Sequence, residues 1–387
     1  MSVLAIFSIK RRDDKIYRAG ITDLPLHHGR APKWLFKRMV KLSEGITEVI
    51  INEYGKDEFL KRISDPFWFQ SFSCVLGYDF HSSGCTTVTC GALKEALKSG
   101  EHGLKVVGGK GKVSHRTPIE IDELGCMFTF SMKTIEKLKY ASKICAKVDN
   151  SLIQDNYQLY HHVMIITENG KWCVIQQGLQ NDRKYARRYH WLSDNINSYI
   201  CEPHEAIVGY KHLEDVLDMT AKESELNRRT CVDLVCDHPR HLANDWASLT
   251  RLESQTTLDE WSDNQKQDGR IICLDMPRSI NWNKMREIYD FQPKNYEEFL
   301  SLKGVGPNTV RALALISDLI YGDKPSWQDP VKYSFTVGGK DAVPFPVDRK
   351  AMDESTEIIK NGIEQAKIGN NEKIYAIKRL KKFCYAN

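Results

Sequence analysis

Three constellations along the chain carry side chains suited to chemistry, the first drawn from two separate stretches. Asp79-Phe80-His81 sets a carboxylate and an imidazole two residues apart, so in an extended segment both project from one face. His161-His162 opens a predicted strand. A carboxylate with imidazoles suits Mn, Zn or Fe, and such an ion activates water for phosphodiester hydrolysis. Asp79, His81 and His161 are therefore the candidate catalytic and metal-ligating residues, with His162 as the substitute for His161 and Mg or Mn as the expected cofactor. Taken singly, each is more commonly a hydrogen-bonder in a turn or cap. The second, RKYARRYHW, interleaves Arg183, Arg187 and Arg188 with Tyr185, Tyr189 and Trp191. Its guanidinium groups are shaped for phosphates and its rings for stacking on bases. The alternative is a strand or helix with its aromatics packed inward. The third, Cys231-x4-Cys236-x-His238-x2-His241, holds four ligand side chains, but a five-residue helical step puts the two thiols on different faces. Buried free thiols are the expectation there.

Residues 296–322, YEEFLSLKGVGPNTVRALALISDLIYG, predict a helix ending near Leu302, a tight Gly304-Val305-Gly306 turn, and a second helix opened by Pro307. Leu300, Val305, Val310, Leu313 and Ala314 have the spacing to join the two helices. Unsatisfied amides at the start of the second helix would form a phosphate cradle. The pattern resembles the DNA-binding helix-hairpin-helix of repair glycosylases, nucleases and ligases, L-x-G-V-G-x-x-T-A, with Leu302, Gly304, Val305, Gly306 and Thr309 matching and Val310 in place of the small residue. The resemblance implies sequence-independent contact with a DNA backbone through Gly304, Val305, Gly306, Asn308 and Thr309. A protein-binding hairpin and an ordinary glycine-punctuated helical pair are the alternatives.

Two catalytic patterns fit less well. A glycosylase would use a Val-Asp pair after the hairpin. Val347-Asp348 lies about twice the family's distance away and is followed by Arg349-Lys350, so Asp348 reads more simply as an N-cap. A restriction-type nuclease needs a strand Glu/Gln-x-Lys; Glu168 and Lys171 fall in a turn, and no lysine follows Gln176-Gln177 at that spacing.

The elements that position these residues are read from periodicity. Pro32 begins a helix with a basic face; KDEFLKRI continues as helix; residues 92–97 and 130–150 are helical; HHVMIITENGKWCVIQQG is a β-hairpin about Asn169-Gly170. VVGGKGKVSHR, with three glycines among lysines, is expected to be a mobile basic loop. This organisation predicts an α/β (or α+β) N-terminal domain over 1–211, a helical, polar connector over 212–280, and an all-α domain over 281–387 carrying the hairpin.

Composition sets the bounds. With 387 residues, 41% hydrophobic and 27% charged, the chain is long enough for several cores. Lys+Arg 55 against Asp+Glu 51 leaves +4, too balanced for a tail-driven nucleic-acid binder. Mean hydropathy is -0.45, and no apolar run reaches the roughly 18 residues of a membrane helix. Eleven cysteines without a CxxC pair read as reduced thiols in the cytoplasm.

Four stretches, GITDLPLHHGRAPKWLFKRMVKL, SDPFWFQSFSCVLGYDFHSSGCTTVTCGALKEAL, YARRYHW and VGGKDAVPFPVDRKAMDE, resemble in motif and order a prokaryotic family catalogued as domain of unknown function 763. That resemblance implies no activity. The family's LHGG-like turn appears here with His28 for its second glycine, which leaves His27 the better candidate of the two. The expected function is DNA binding and processing, with metal-dependent cleavage by the N-terminal domain and Arg187 and Arg188 on the scissile phosphate. A non-catalytic adaptor recruiting a helicase or repair partner is the second expectation, and a base-excision enzyme using Asp348 the third.

Overall fold

The structure is a computed structural model that describes residues 8–12, 15–19, 31–77, 83–180, 185–209, 213–256, 276–331 and 349–384. His27, Asp79, His81, Arg183 and Asp348 lie outside these residues. A short hairpin, β1 (Ser8–Arg12) and β2 (Lys15–Ala19), precedes helices α1 (Lys33–Tyr54), α2 (Lys56–Ser64), α3 (Pro66–Leu76) and α4 (Ser83–Ala96). Then come β3 (Leu104–Lys110), α5 (Thr117–Met127), α6 (Met132–Ser151), β4 (Ile153–Gln154), β5 (Gln158–Thr167), β6 (Trp172–Gln180), β7 (Tyr185–Leu192), β8 (Ala206–Val208) and β9 (Leu217–Asp218). The rest is helical: α7 (Glu225–Cys236), α8 (Pro239–Thr256), α9 (Trp282–Phe291), α10 (Tyr296–Ser301), α11 (Pro307–Tyr321), α12 (Arg349–Gln365) and α13 (Asn370–Cys384).

Local chemistry accounts for the element ends. Asp65 accepts a hydrogen bond from the Trp68 amide, Pro66 occupies the first turn of α3, and Gly77 closes it in the left-handed region. Ser131 and Asn295 cap α6 and α10 in the same way. Pro307 opens α11 and Gly322 ends it.

A five-stranded antiparallel sheet of order β3-β5-β6-β7-β8 forms the middle layer. Helices cover both of its faces, which is why β5 and β6 read as nearly continuous apolar runs rather than alternating ones. Met164, Ile166, Val174, Tyr189 and Trp191 face one core, shared with α6, α7, α10 and α11. Val163, Ile165, Cys173, Ile175 and Leu192 face the other, shared with α1–α4, α12 and α13. The packing follows the sheet on both sides of residue 281. Residues beyond it divide, with α10 and α11 on one face and α12 and α13 on the other.

The expected mobile loop at 106–116 is instead an edge strand, paired with β5 from Leu104 to Lys110, followed by a 3-10 turn over Gly111–Arg116. Its glycines are held from outside. The Gly108 amide donates to Glu120, its carbonyl accepts from Lys94, and those two side chains pair at 2.6 Å. Among the described residues no helix is long and apolar enough to cross a membrane.

Candidate functional site

A cleft of about 510 Å³ opens between α6, the turn from β3 into α5, and the Val305–Gly306 turn. Ser142, His162 and Gln176 lie at its base, with His115, Lys143 and Lys147 around them. Strand β5 presents His162 to the α6 side because its alternate residues Met164 and Ile166 bury there. The β3 edge comes unusually close at this point. Gly108 has φ +88, and a Cβ on it would stand 2.3 Å from the His162 carbonyl oxygen. Gly108→Ala is expected to destabilise the fold by about 2–3 kcal/mol through combined strain and clash, with the His162 ring resonances shifted in NMR spectra. An unchanged urea midpoint would show that the strand relaxes freely.

At the base, hydrogen bonds set each group's role. His162 Nε2 lies 2.8 Å from Ser142 Oγ, and its Nδ1 lies 2.9 Å from Gln176 Oε1. Gln176 Nε2 donates to Asp149 Oδ2 at 2.6 Å, and the Trp191 indole donates to the same oxygen. His204 bonds the other carboxylate oxygen. An indole can only donate, so Asp149 Oδ2 accepts and the Gln176 amide must turn its NH2 toward it. The Gln176 carbonyl oxygen then faces His162, whose Nδ1 must carry the proton. Nε2 is thereby left bare, to accept from the Ser142 hydroxyl. Burial lowers the His162 pKa, which keeps the ring neutral. The arrangement is a serine hydroxyl on a neutral, orientated imidazole, backed by an amide and a buried carboxylate.

The cleft is electropositive. Lys143 donates to the Ser301 carbonyl, and Lys147 to those of Leu300 and Leu302, so the α10 carboxyl end is held against α6 by two cations. The Lys284 stem runs along Gly304, 3.1 Å from where a Cβ would sit. Burial, with Lys143 and Lys284 as neighbours, pushes the Lys147 pKa down to about 8. Gly304, with φ +90, and Asn308 are exposed, Gly306 and Thr309 are half-buried, and Val305 is packed into the core. No side chain caps the start of α11.

Of the residues singled out from sequence, His161 is 2% exposed and neither ring nitrogen has a hydrogen-bond partner. Burial, then the charges of His162 and Lys110, push its pKa down to about 3. Its register partner Gln177 reaches the Ser83 carbonyl, two residues beyond His81. RKYARRYHW is not a surface patch over its described part, which is β7, with Arg187 and Arg188 fully buried on opposite faces. Arg187 pairs with Asp155 and Asp329, both at 2.7 Å. Arg188 bonds His190 at 2.8 Å and lies over the Phe69 ring. Both guanidinium groups are turned into the protein rather than toward a scissile phosphate. Cys231 is buried on Asn227, whereas His241 is on the surface with Asp237. Among the described residues no group of three or more His, Cys, Asp or Glu side chains could hold a metal ion. The sequence reading missed Ser142, Asp149, Gln176 and His204. A serine inside a helix and a glutamine inside a strand carry no motif, and only the fold joins them.

No curated protein and no solved structure matches the chain. The match that exists is to a family model described as a protein of unknown function, DUF763, over residues 20–347. That span takes in every strand of the sheet and all three walls of the cleft. The chain belongs to the DUF763 family.

Proposed function

We propose that this protein binds DNA by its phosphate backbone, without sequence preference, and acts in DNA processing. The observation that carries the reading is the meeting, in one cleft, of the Val305–Gly306 turn before α11, whose start no side chain caps, with Lys143 and Lys147. Backbone amides at a helix start and lysine charge are the two features that hold phosphates. Lys110, Lys112 and Arg116, exposed on the turn before α5, extend the same positive rim. Backbone contacts of this kind position a strand and carry no base information.

Metal-dependent cleavage is the second reading, favoured by one observation. His161 is buried and neutral with both ring nitrogens unpartnered, as a free ligand would be. With Asp79 and His81 it would hold a Mg or Mn ion, which would supply activated water. A helicase or repair enzyme recruited by an otherwise inert chain is what remains if cleavage is absent.

The test is binding of labelled single-stranded, duplex and forked DNA. Affinity is expected to fall by at least tenfold between about 50 and 200 mM salt. Lys112→Glu combined with Lys303→Glu, both exposed sites, is expected to weaken binding by at least about tenfold. Salt-insensitive association, or full binding by the double variant, would remove the backbone reading.

A further inference from the structure

We infer that Ser142 and His162 form a nucleophile–base pair that cleaves a phosphodiester through a serine-linked phosphodiester intermediate without a metal ion. The inference rests on the proposal that the cleft takes a nucleic-acid backbone. Three observations support the chemistry itself. Ser142 Oγ and His162 Nε2 are 2.8 Å apart, within the range in which a base takes a hydroxyl proton. With Asp149 ionised, the chain through Gln176 sets the tautomer in which Nε2 accepts. Both side chains lie at the base of a cleft open to solvent and flanked by lysines.

A purely structural role would seal such a network away, as happens on the other side of Asp149. His204 and Trp191 are buried there. At Ser142 the network instead ends on the cleft. Lys143 and Lys147 also line the cleft, with their ammonium groups on the carbonyls at the end of α10. Charge of that sign is what the oxygens of a transferring phosphoryl group require.

The reaction balances with water alone. Ser142 Oγ bonds to phosphorus, the bond from phosphorus to one sugar oxygen breaks, and the hydroxyl proton passes to His162 Nε2. His162, protonated on both nitrogens, returns that proton to the departing sugar oxygen. A water molecule then attacks the phosphorus of this serine-linked diester, giving one proton to His162; the Ser142 Oγ–P bond breaks, and the water oxygen stays in the released phosphomonoester. The proton on Nε2 finally returns to Ser142. Gln176 touches no reacting atom; it is a positioning residue that fixes the imidazole tautomer.

The experiment uses the full chain in EDTA with two substrates, labelled DNA and bis(p-nitrophenyl) phosphate, the second needing no DNA binding. Cleavage of both is expected, and peptide mass analysis of the quenched reaction should find Ser142 esterified through phosphate to the retained half of the substrate, a nucleotidyl group from DNA or a p-nitrophenyl phosphate group from the small diester. Ser142→Ala and His162→Gln should each lower the rate by at least about a hundredfold. Gln176→Met should lower kcat by about tenfold at unchanged KM and move the acid limb of the pH profile, which loss of packing alone would not do. Intact DNA binding with no cleavage of either substrate in EDTA overturns the inference. So does full activity in Ser142→Ala, or cleavage that needs Mn and disappears in His161→Leu but not in Ser142→Ala. Cleavage of the small phosphodiester through Ser142 without DNA binding would leave the pair standing and remove the DNA reading instead.

Discussion

Arg187→Met is expected to lower the unfolding free energy by about 3–5 kcal/mol, the range found when one partner of a buried ion pair is removed. The guanidinium and both carboxylates it meets, Asp155 and Asp329, are shut off from solvent. Methionine would fill much of the volume but leave two uncompensated acids in one pocket. Asp155 already has its pKa raised by burial, with Asp329 adding to the effect and Arg187 opposing it. Without Arg187 the Asp155 carboxyl would hold its proton more firmly folded than unfolded, so the deficit should shrink as pH falls from about 7 to about 5. That pH trend separates charge from packing, since a cavity would cost the same at both values. Adding Asp155→Asn and Asp329→Asn should recover about 2 kcal/mol or more. Urea unfolding of the three proteins measures this; a loss under about 1 kcal/mol, constant with pH, would mean that the carboxylates find water. The pair also has an architectural role. Asp329 accepts from the Leu213 and Val331 amides as well, and it lies in the stretch between α11 on one face of the sheet and α12 on the other. Arg187 fastens the segment after α11, as far as it is described, to β7.

Much of the backbone architecture can be read from local signals, whereas the site's chemistry depends on long-range placement. The β5–β6 hairpin follows from two apolar runs about Asn169-Gly170, and α6 from its 3.6-residue pattern and the Ser131 cap. The α10–α11 pair follows from glycine and proline placement. Each of those features acts within a few residues. Arg187 pairs across 32 and 142 residues, so nothing nearby shows that its charge is already neutralised. The same two-residue period that alternates Arg187 and Arg188 between faces also gave the run its look of a basic-aromatic surface. At VVGGKGK, glycine composition suggested mobility, while Lys94 and Glu120 on other elements hold the strand. His161-His162 was legible as a pair of interest, but which ring enters the cleft network depends on the strand's facing. That in turn depends on α6 burying the Met164 face, a fact no window around the histidines contains.

His161 supplies the second large effect, and it has a definite sign. Its folded pKa is lowered from 6.5 to about 3, so the unfolded chain takes up the proton first as the solution is acidified. Stability from this group is complete above pH 6.5 and is lost as pH falls from 6.5 toward 3. Near pH 5 the loss from His161 alone is about 2 kcal/mol. His162 and His190 are lowered in the same direction and add to it. Wild type and His161→Leu should therefore differ by an amount that depends on pH, with the variant gaining on the wild type by about 2 kcal/mol between pH 7 and 5. Contributions from all other groups cancel in that comparison. A divalent ion sharpens the test, because protons and metal compete for the same bare nitrogen. If His161 is a ligand, millimolar Mn should raise the unfolding midpoint of the wild type at pH 7, the rise should vanish at pH 5, and His161→Leu should show none. If the midpoint of the wild type ignores Mn while its acid loss remains, the buried imidazole is a strained part of the core, and any cleavage the protein performs does not use His161 as a metal ligand.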